Sequence, residues 1–365
     1  WLKSHQPFHW LAEFYQIIKG NGGFDVIIGN PPYVVYTKKN NESGKAIADI
    51  YKLSGYKTLN CNNLYAFVIE RSINILSAHK RFGMIVPLSF GAAKNMSSLR
   101  SLFSEECCYV SSYEIRPSKL FDGAKGAEQR LNIFISHYTD TPSIKTTNVL
   151  RWNADQRNLL FKCIHYEDSF INERIWRISS KIEASIYRKY ITNKPLLYEI
   201  SNDIKHRIHY RSAGLRYWII FVRNGFNTES ASNKNKGFDS ATKADYYMSA
   251  LNSNLYWWYY SLNYDMFNQT DANILDFQLS YNEKIEINIF AKILEEDLDK
   301  NKTLLVTNKK DGDTNVSYAY NKRLSKSIID KIDKALAEHY GFTEEELDFI
   351  INYDIKYRMG DELNE

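Results

Sequence analysis

The feature that most constrains this chain is a short apolar run, Phe24-Asp25-Val26-Ile27-Ile28-Gly29, that stops at Asn30-Pro31-Pro32-Tyr33. Two consecutive prolines cannot donate to a β ladder, and their rings fix the backbone, so the run reads as a buried parallel strand ending at Asn30. The breaker Gly20-Asn21-Gly22-Gly23 marks its start. Residues 37–60 are polar and read as a mobile loop. Apolar residues from Asn63 to about Lys80 then recur at helical period, with Asn62 or Asn63 as the cap. Gly83–Pro87 reads as the next buried strand, residues 92–104 as a helix, and Val110–Ile115 and Leu131–Tyr138 as further strands.

Strand–helix alternation over residues 24–138 predicts an α/β fold with a mostly parallel, helix-covered sheet. Ligands in such sheets bind beyond the C-terminal strand ends, and Asn30 and Pro31 lie at such an end. The pattern changes after about residue 140. Short strands and aromatic clusters then predict a second, mixed α+β domain over 146–315, with a helical tail over 316–365. In that tail Thr343-Glu344-Glu345-Glu346 forms a capping box. The cluster Tyr256–Tyr260 is expected to pack inside.

Composition closes off several classes. The 365 residues are 44% hydrophobic and 25% charged, ordinary globular values that exclude a disordered or collagen-like chain. No apolar run approaches the roughly 20 residues needed to cross a bilayer, which predicts a cytoplasmic protein with no membrane partner. The 4 cysteines show no Cys-x-x-Cys spacing and the 8 histidines no metal-ligand pairing, so no metal is expected. Eleven Lys/Arg face three acids between Arg174 and Arg223, which predicts a basic face there. The first residue is Trp1, not Met, so the natural N-terminus is expected to lie upstream.

The Asn30–Tyr33 turn suits one kind of chemistry. The exocyclic amino nitrogen of a nucleobase is a poor nucleophile because its lone pair is conjugated with the ring. Two acceptors aimed at its two hydrogens hold it and favour sp³ character. The Asn30 side-chain oxygen and the Pro31 carbonyl can supply that pair, and Tyr33 offers a flat face on which an extruded base stacks.

Gly22-Gly23-Phe24-Asp25-Val26-Ile27-Ile28-Gly29-Asn30-Pro31-Pro32-Tyr33-Val34 resembles the catalytic motif of amino-methyltransferases that use S-adenosylmethionine. More narrowly, it resembles the adenine-specific DNA methylases of type IIG restriction–modification systems, in a C-terminal portion. Asn63–Arg71 running into Arg81–Pro87, the segment Leu120-Phe121-Asp122-Gly123-Ala124, and the tail Tyr340–Asp354 are similar to later parts of that family.

The resemblance implies a partial Rossmann-like methyltransferase sheet over 1–145, a target-recognition domain over 146–315, and methylation of adenine N6 in duplex DNA by base flipping. It implies that Asn30 and Pro31 bind the target amine, that Tyr33 and Phe121 sandwich the adenine, and that Asn30 and Pro32 line the cofactor side. Val68 stands where the family has an aromatic against the cofactor. Fewer than 30 residues precede Asn30, and a βαβ unit needs roughly 30 or more. The resemblance therefore places the cofactor loop, and any nuclease, upstream.

Arg207, Arg211 and Arg216 are the candidate DNA contacts. They lie in basic-aromatic segments, His206–Arg211 and Arg216-Tyr217-Trp218, and Arg207 and Arg211 share a face if helical. Two alternatives stay open: a non-catalytic DNA-specificity module, and a methyltransferase acting on RNA or protein glutamine, whose nitrogens are also planar and conjugated.

Overall fold

In a computed structural model, the described residues are 8–39, 43–121, 129–202, 205–213, 217–226, 228, 230–308 and 314–360. The chain forms two compact units, Trp1–Ser180 and Lys181–Glu365. Among the described residues no helix is long and apolar enough to cross a membrane.

The first unit is built on a six-stranded sheet. Its strands are β1 (Phe24–Gly29), β2 (Leu76–Pro87), β3 (Glu106–Tyr113), β4 (Leu131–Tyr138), β5 (Ser143–Leu150) and the short β6 (Glu167–Asp168), in the order β1-β2-β4-β3-β5-β6. β1 runs parallel to β2, and β3 parallel to β5, whereas β2–β4, β3–β4 and β5–β6 are antiparallel. The class is α/β, as expected, but the sheet is mixed. The short 139–142 connection returns β5 beside β3, and β4 is inserted antiparallel between β2 and β3.

Nor are β1 and β2 buried on both sides. Phe82, Met84 and Val86 of β2 join Phe134, Val110 and Cys108 in one core. The opposite face carries Ile28 at 78% exposure, Val26 at 56% and Ile135 at 43%. Ile28, Gly83 and Ile135 are register partners on that face, so the exposed apolar side chains form a stripe across three strands.

Entry into β1 depends on Gly23. Its φ is +130°, and a Cβ there would come within 2.5–2.7 Å of the backbone of residues 75–77. Only a residue without a side chain allows this close approach.

The helix expected over 63–80 is shorter. Helix α1 spans Leu64–Ile73 with Asn63 as its cap, and the chain turns at Asn74 straight into β2. Residues 92–104 form a string of short helical turns instead of one helix. The supposed loop after the corner is tied down: the Glu70 carboxylate accepts from Lys57 N (2.9 Å), Thr58 N (2.9 Å) and Thr58 Oγ1 (2.7 Å). Tyr36 Oη donates to the Tyr51 carbonyl at 2.6 Å, and a helical turn covers Ile47–Ile50.

The division expected at 145/146 falls inside β5, whose Ile144 is buried in the first core. A two-residue hairpin of β7 (Ile171–Asn172) and β8 (Arg174–Ile175) also belongs to the first unit.

The second unit contains helices α2 (Lys181–Tyr190), α3 (Ala241–Leu251), α4 (Asn254–Asn263), α5 (Ile289–Lys300), α6 (Lys326–Tyr340) and α7 (Glu344–Asn352). It adds a three-stranded sheet of β9 (Arg207–Arg211), β10 (Phe221–Val222) and β11 (Asn233–Gly237), ordered β10-β9-β11. A hairpin of β12 (Lys302–Asn308) and β13 (Thr314–Tyr320) precedes α6, so the boundary expected at 315/316 also cuts a strand. Every residue of α4 is buried, the Tyr256–Tyr260 cluster included, and the aromatic side chains are its core. The Thr343 capping box forms at the start of α7, with Thr343 N donating to Glu346 Oε2 at 2.8 Å and Glu346 N to Thr343 Oγ1 at 3.2 Å.

Asp333, buried on α6, caps α4. Its oxygens accept from Leu255 N (3.0 Å), Asn254 N (3.1 Å) and Asn254 Nδ2 (2.7 Å). Burial pushes its carboxyl up to about 6, against these bonds. A folded-state pKa raised above the unfolded value contributes stability at low pH that is lost as pH rises through the folded pKa. Relative to Asp333→Asn, wild-type stability should therefore fall between about pH 4 and 6, by on the order of 2–3 kcal/mol. Denaturant unfolding of both proteins across that range, followed by tryptophan fluorescence, checks the sign.

Candidate active site

The β1–β2 register sets the position of the corner. Ile28 pairs with Gly83 and Gly29 with Met84, so Asn30 leaves the sheet level with Ile85. Asn30 is exposed, Pro31 buried, Pro32 exposed and Tyr33 half-buried. Beyond the prolines the chain is held to the start of α1: Leu64 N donates to the Val34 carbonyl at 2.9 Å, and Tyr36 N to the Asn62 carbonyl at 3.1 Å. The corner is thus pinned at both ends while the Asn30 carboxamide faces solvent.

Tyr33 links the corner to the sheet. Its Oη lies 2.6 Å from Asn30 Oδ1 and 2.9 Å from the Ile85 carbonyl, both acceptors for its single proton. Its ring meets Tyr65 edge-on, with centroids 6.4 Å apart. Burial pushes the Tyr33 phenol up to about 12, so it stays a protonated donor through the physiological range. Among the described residues, none donates a hydrogen bond to the Pro31 carbonyl. Two acceptors, Asn30 Oδ1 and Pro31 O, therefore stand at one strand end, and a planar amine offering two hydrogens is the chemical complement of such a pair.

Behind Tyr33 stands a support that the sequence reading missed. Tyr65, fully buried on α1, has its hydroxyl 3.2 Å from Ser89 Oγ and donates to Met96 Sδ at 3.1 Å. The segment that carries Ser89 is held by two buried arginines. Arg100 Nη1 donates to the Phe90 (2.8 Å) and Ala93 (2.9 Å) carbonyls, and Arg174 Nε to the Ala92 carbonyl at 2.9 Å. Arg100 Nη2 also donates to the Glu173 carbonyl. The only signal for Tyr65 in the sequence was its place in the Asn63-Leu64-Tyr65 helix start. Nothing local marks Arg100 as a brace, because its partners lie across a turn and 73 residues downstream.

The other candidates stand on separate elements. Val68 is on the outer side of α1 at 36% exposure, whereas Phe67 is buried between Tyr36 and Tyr56. Phe121 is partly exposed and immediately precedes residues 122–128, which lie outside the described residues, as does the Asp122-Gly123-Ala124 part of its motif. The chain leading to Phe121 is gripped by Arg157, whose Nη2 donates to the Lys119 carbonyl (2.9 Å) and Nη1 to the Leu120 carbonyl (3.0 Å).

In the second unit Arg207 and Arg211 are on a strand, not a helix. Both still share a face, because β9 alternates them and His209 with the buried Ile208 and Tyr210. Arg211 Nη2 donates to Thr228 Oγ1 at 2.9 Å, and its guanidinium lies 4.9 Å from the Phe226 ring centroid. Burial and the Arg207 and Arg223 charges push His209 below its ordinary value. Arg216 lies outside the described residues.

Tyr217 and Trp218 are committed internally. Tyr217 stacks on Tyr357, and the Arg358 guanidinium lies 3.9 Å from the Trp218 ring centroid. The basic stretch is not one face either. Arg174 and Arg177 are buried, and Lys189 pairs with Glu346 at 2.6 Å.

Comparison with known proteins bears on the first unit. Over 120 residues (33% of this chain and 9% of the relative) the chain is 35% identical to a putative type II restriction enzyme and methyltransferase, RM.MjaORFECS2P, of Methanocaldococcus jannaschii. Over 88 residues (23% of this chain and 8% of the relative) it is 40% identical to the type II restriction enzyme and methyltransferase RM.Eco57I of Escherichia coli. The matched stretch is thus less than a tenth of the length of these relatives.

Among solved structures, the chain aligns over 92% of its length, and 36% of the other chain, with the ATP-dependent type ISP restriction-modification enzyme LlaBIII bound to DNA, at 12% identity and a TM-score of 0.35. It aligns over 90% of its length, and 54% of the other chain, with the type IIG restriction endonuclease BpuSI, at 9% identity and a TM-score of 0.31. The family model described as Eco57I restriction-modification methylase matches residues 2–121, which span the Asn30–Tyr33 corner, its β1–β2 platform and the Tyr65 support. Over residues 2–121, a third of its length, the chain is therefore similar to the Eco57I restriction-modification methylase family.

Proposed function

We propose that this chain carries the target-gripping part of a DNA methyltransferase that modifies adenine N6 in duplex DNA by base flipping, within a restriction–modification system. The observation that carries the reading is the exposed Asn30 carboxamide at the C-terminal end of β1, beside a Pro31 carbonyl to which no described residue donates. Such a pair accepts both hydrogens of an extruded adenine's amino group and draws its lone pair out of conjugation. The base stacks on the Tyr33 ring, with Phe121 as the second wall. The duplex nature of the substrate rests on the family of residues 2–121 and on the basic β9 face.

S-adenosylmethionine would supply the methyl group, but the described residues do not make a pocket for it. Gly20–Gly23 leads into a strand instead of joining strand to helix, and the β1–β2–β4 face lies open at Val26, Ile28 and Ile135. The proposed cofactor contacts of Asn30 and Pro32 at the strand end therefore need a partner segment over that face, whereas Val68 stands on the outer side of α1. A doubly wound sheet covers both of its faces. Upstream sequence is the proposed source of this cover, and of any nuclease.

Four measurements test the reading. In the full-length protein Asn30→Ala should lower methyl transfer to duplex DNA by about 100-fold or more, since it removes one of two acceptors at the reacting nitrogen. Retained activity would sink the catalytic assignment of Asn30, whereas a full-length wild type with no methyl transfer would leave the non-catalytic specificity module. Isothermal titration of the 365-residue chain with S-adenosylmethionine should give no micromolar binding, and a micromolar Kd would show that the open face is not the missing wall. Duplex DNA should compete better than RNA. Arg207→Ala and Arg211→Ala should each weaken DNA binding and reduce the log–log salt slope by about one if they neutralise phosphates.

A further inference from the structure

We infer that the Tyr33 hydroxyl is a positioning group that dictates which atom of the Asn30 carboxamide is offered to the target amine. The inference rests on the proposed reading of the corner and assigns a task to an atom that reading leaves idle. There, Tyr33 contributes a flat ring, and a phenylalanine would serve equally well.

A side-chain amide has nearly the same shape whichever way it is turned, but its two ends have opposite chemistry. The oxygen accepts and the nitrogen carries two donors. Turned the wrong way, Asn30 would face the amine hydrogens with hydrogens of its own, and the gripping pair would be reduced to the Pro31 carbonyl. Packing cannot enforce the choice, because Asn30 is exposed at the end of an edge strand. Something must therefore distinguish oxygen from nitrogen by hydrogen bonding.

The Tyr33 hydroxyl is built for this. Its location is set independently of Asn30, because the ring packs against the core and meets Tyr65 edge-on. From that fixed point it presents its proton to Asn30 Oδ1 at 2.6 Å. The carboxamide oxygen has two lone-pair directions, so one engages Tyr33 and the second remains for the incoming N–H. The phenol is held protonated by its burial, so this donor persists across the pH range in which such an enzyme would be assayed.

The test is Tyr33→Phe in the full-length protein, which keeps the ring and removes only the hydroxyl. Four quantities are compared with wild type: kcat for methyl transfer, KM for duplex DNA, the fluorescence of 2-aminopurine placed at the target position, and the melting temperature. The expected result is a kcat about ten- to thirtyfold lower, the size of one misoriented hydrogen bond near the reacting atom, with the other three unchanged. A wild-type kcat overturns the inference. So does a fall in kcat accompanied by a lower melting temperature or loss of the fluorescence signal, because the hydroxyl would then be a structural tether or a stacking aid.

Asn30→Ala keeps this failure distinct from failure of the functional reading. If Asn30→Ala transfers methyl groups like wild type, the corner is not the site at all. If it is inactive while Tyr33→Phe is unaffected, only the role given to the hydroxyl falls.

Discussion

The site depends on the parallel pairing of β1 with β2. Gly29 opposite Met84 brings Asn30 level with Ile85, and the Tyr33 hydroxyl bridges that last step. A one-residue slip in this register would turn Ile27 away from the core and carry the corner off its anchor. Register is defended where β1 begins, since Gly23 lies so close to residues 75–77 that no side chain fits. The conformational freedom of one glycine and the rigidity of two prolines therefore frame a six-residue strand and decide where its end stands.

Around this frame, buried charges serve as fasteners for backbone. Glu70 closes the 57–58 turn, Arg100 and Arg174 hold the 90–93 carbonyls, and Asp333 caps α4. Each satisfies backbone groups that a turn or helix end leaves unpaired. Removing one partner would strand buried donors or acceptors, which is more damaging than losing a surface ion pair. The Arg100 and Arg174 pair reaches the site through Ser89 and Tyr65, so the stiffness of the corner comes from polar groups well outside it.

The face of the sheet opposite the core is the open side of the first unit. Val26, Ile28 and Ile135 form an apolar stripe over strands whose other side is well packed. The Asn30–Tyr33 corner is held by β2 and by the start of α1. Among the described residues no glycine-rich loop leads from a strand to a helix, although the Asn30–Tyr33 turn is complete.

The apolar run, the double proline and the capping residues were legible because each acts locally. They determined β1 and its end, the start of α1, the Thr343 capping box, and the place of Asn30 beyond a strand. The aromatic content of Tyr256–Tyr260 likewise required a buried segment, since such side chains find no better environment than one another, and the structure makes it a helix. Long-range pairing was not legible. Whether a strand is parallel or antiparallel, whether one face or both are covered, and where one unit ends depend on contacts between distant segments. That is why the sheet proved mixed and β5 joined the first unit. The bond from Tyr33 to Ile85 belongs to the same class: the turn itself sets Tyr33 beside Asn30, but only the register of two strands brings Ile85 within 3 Å.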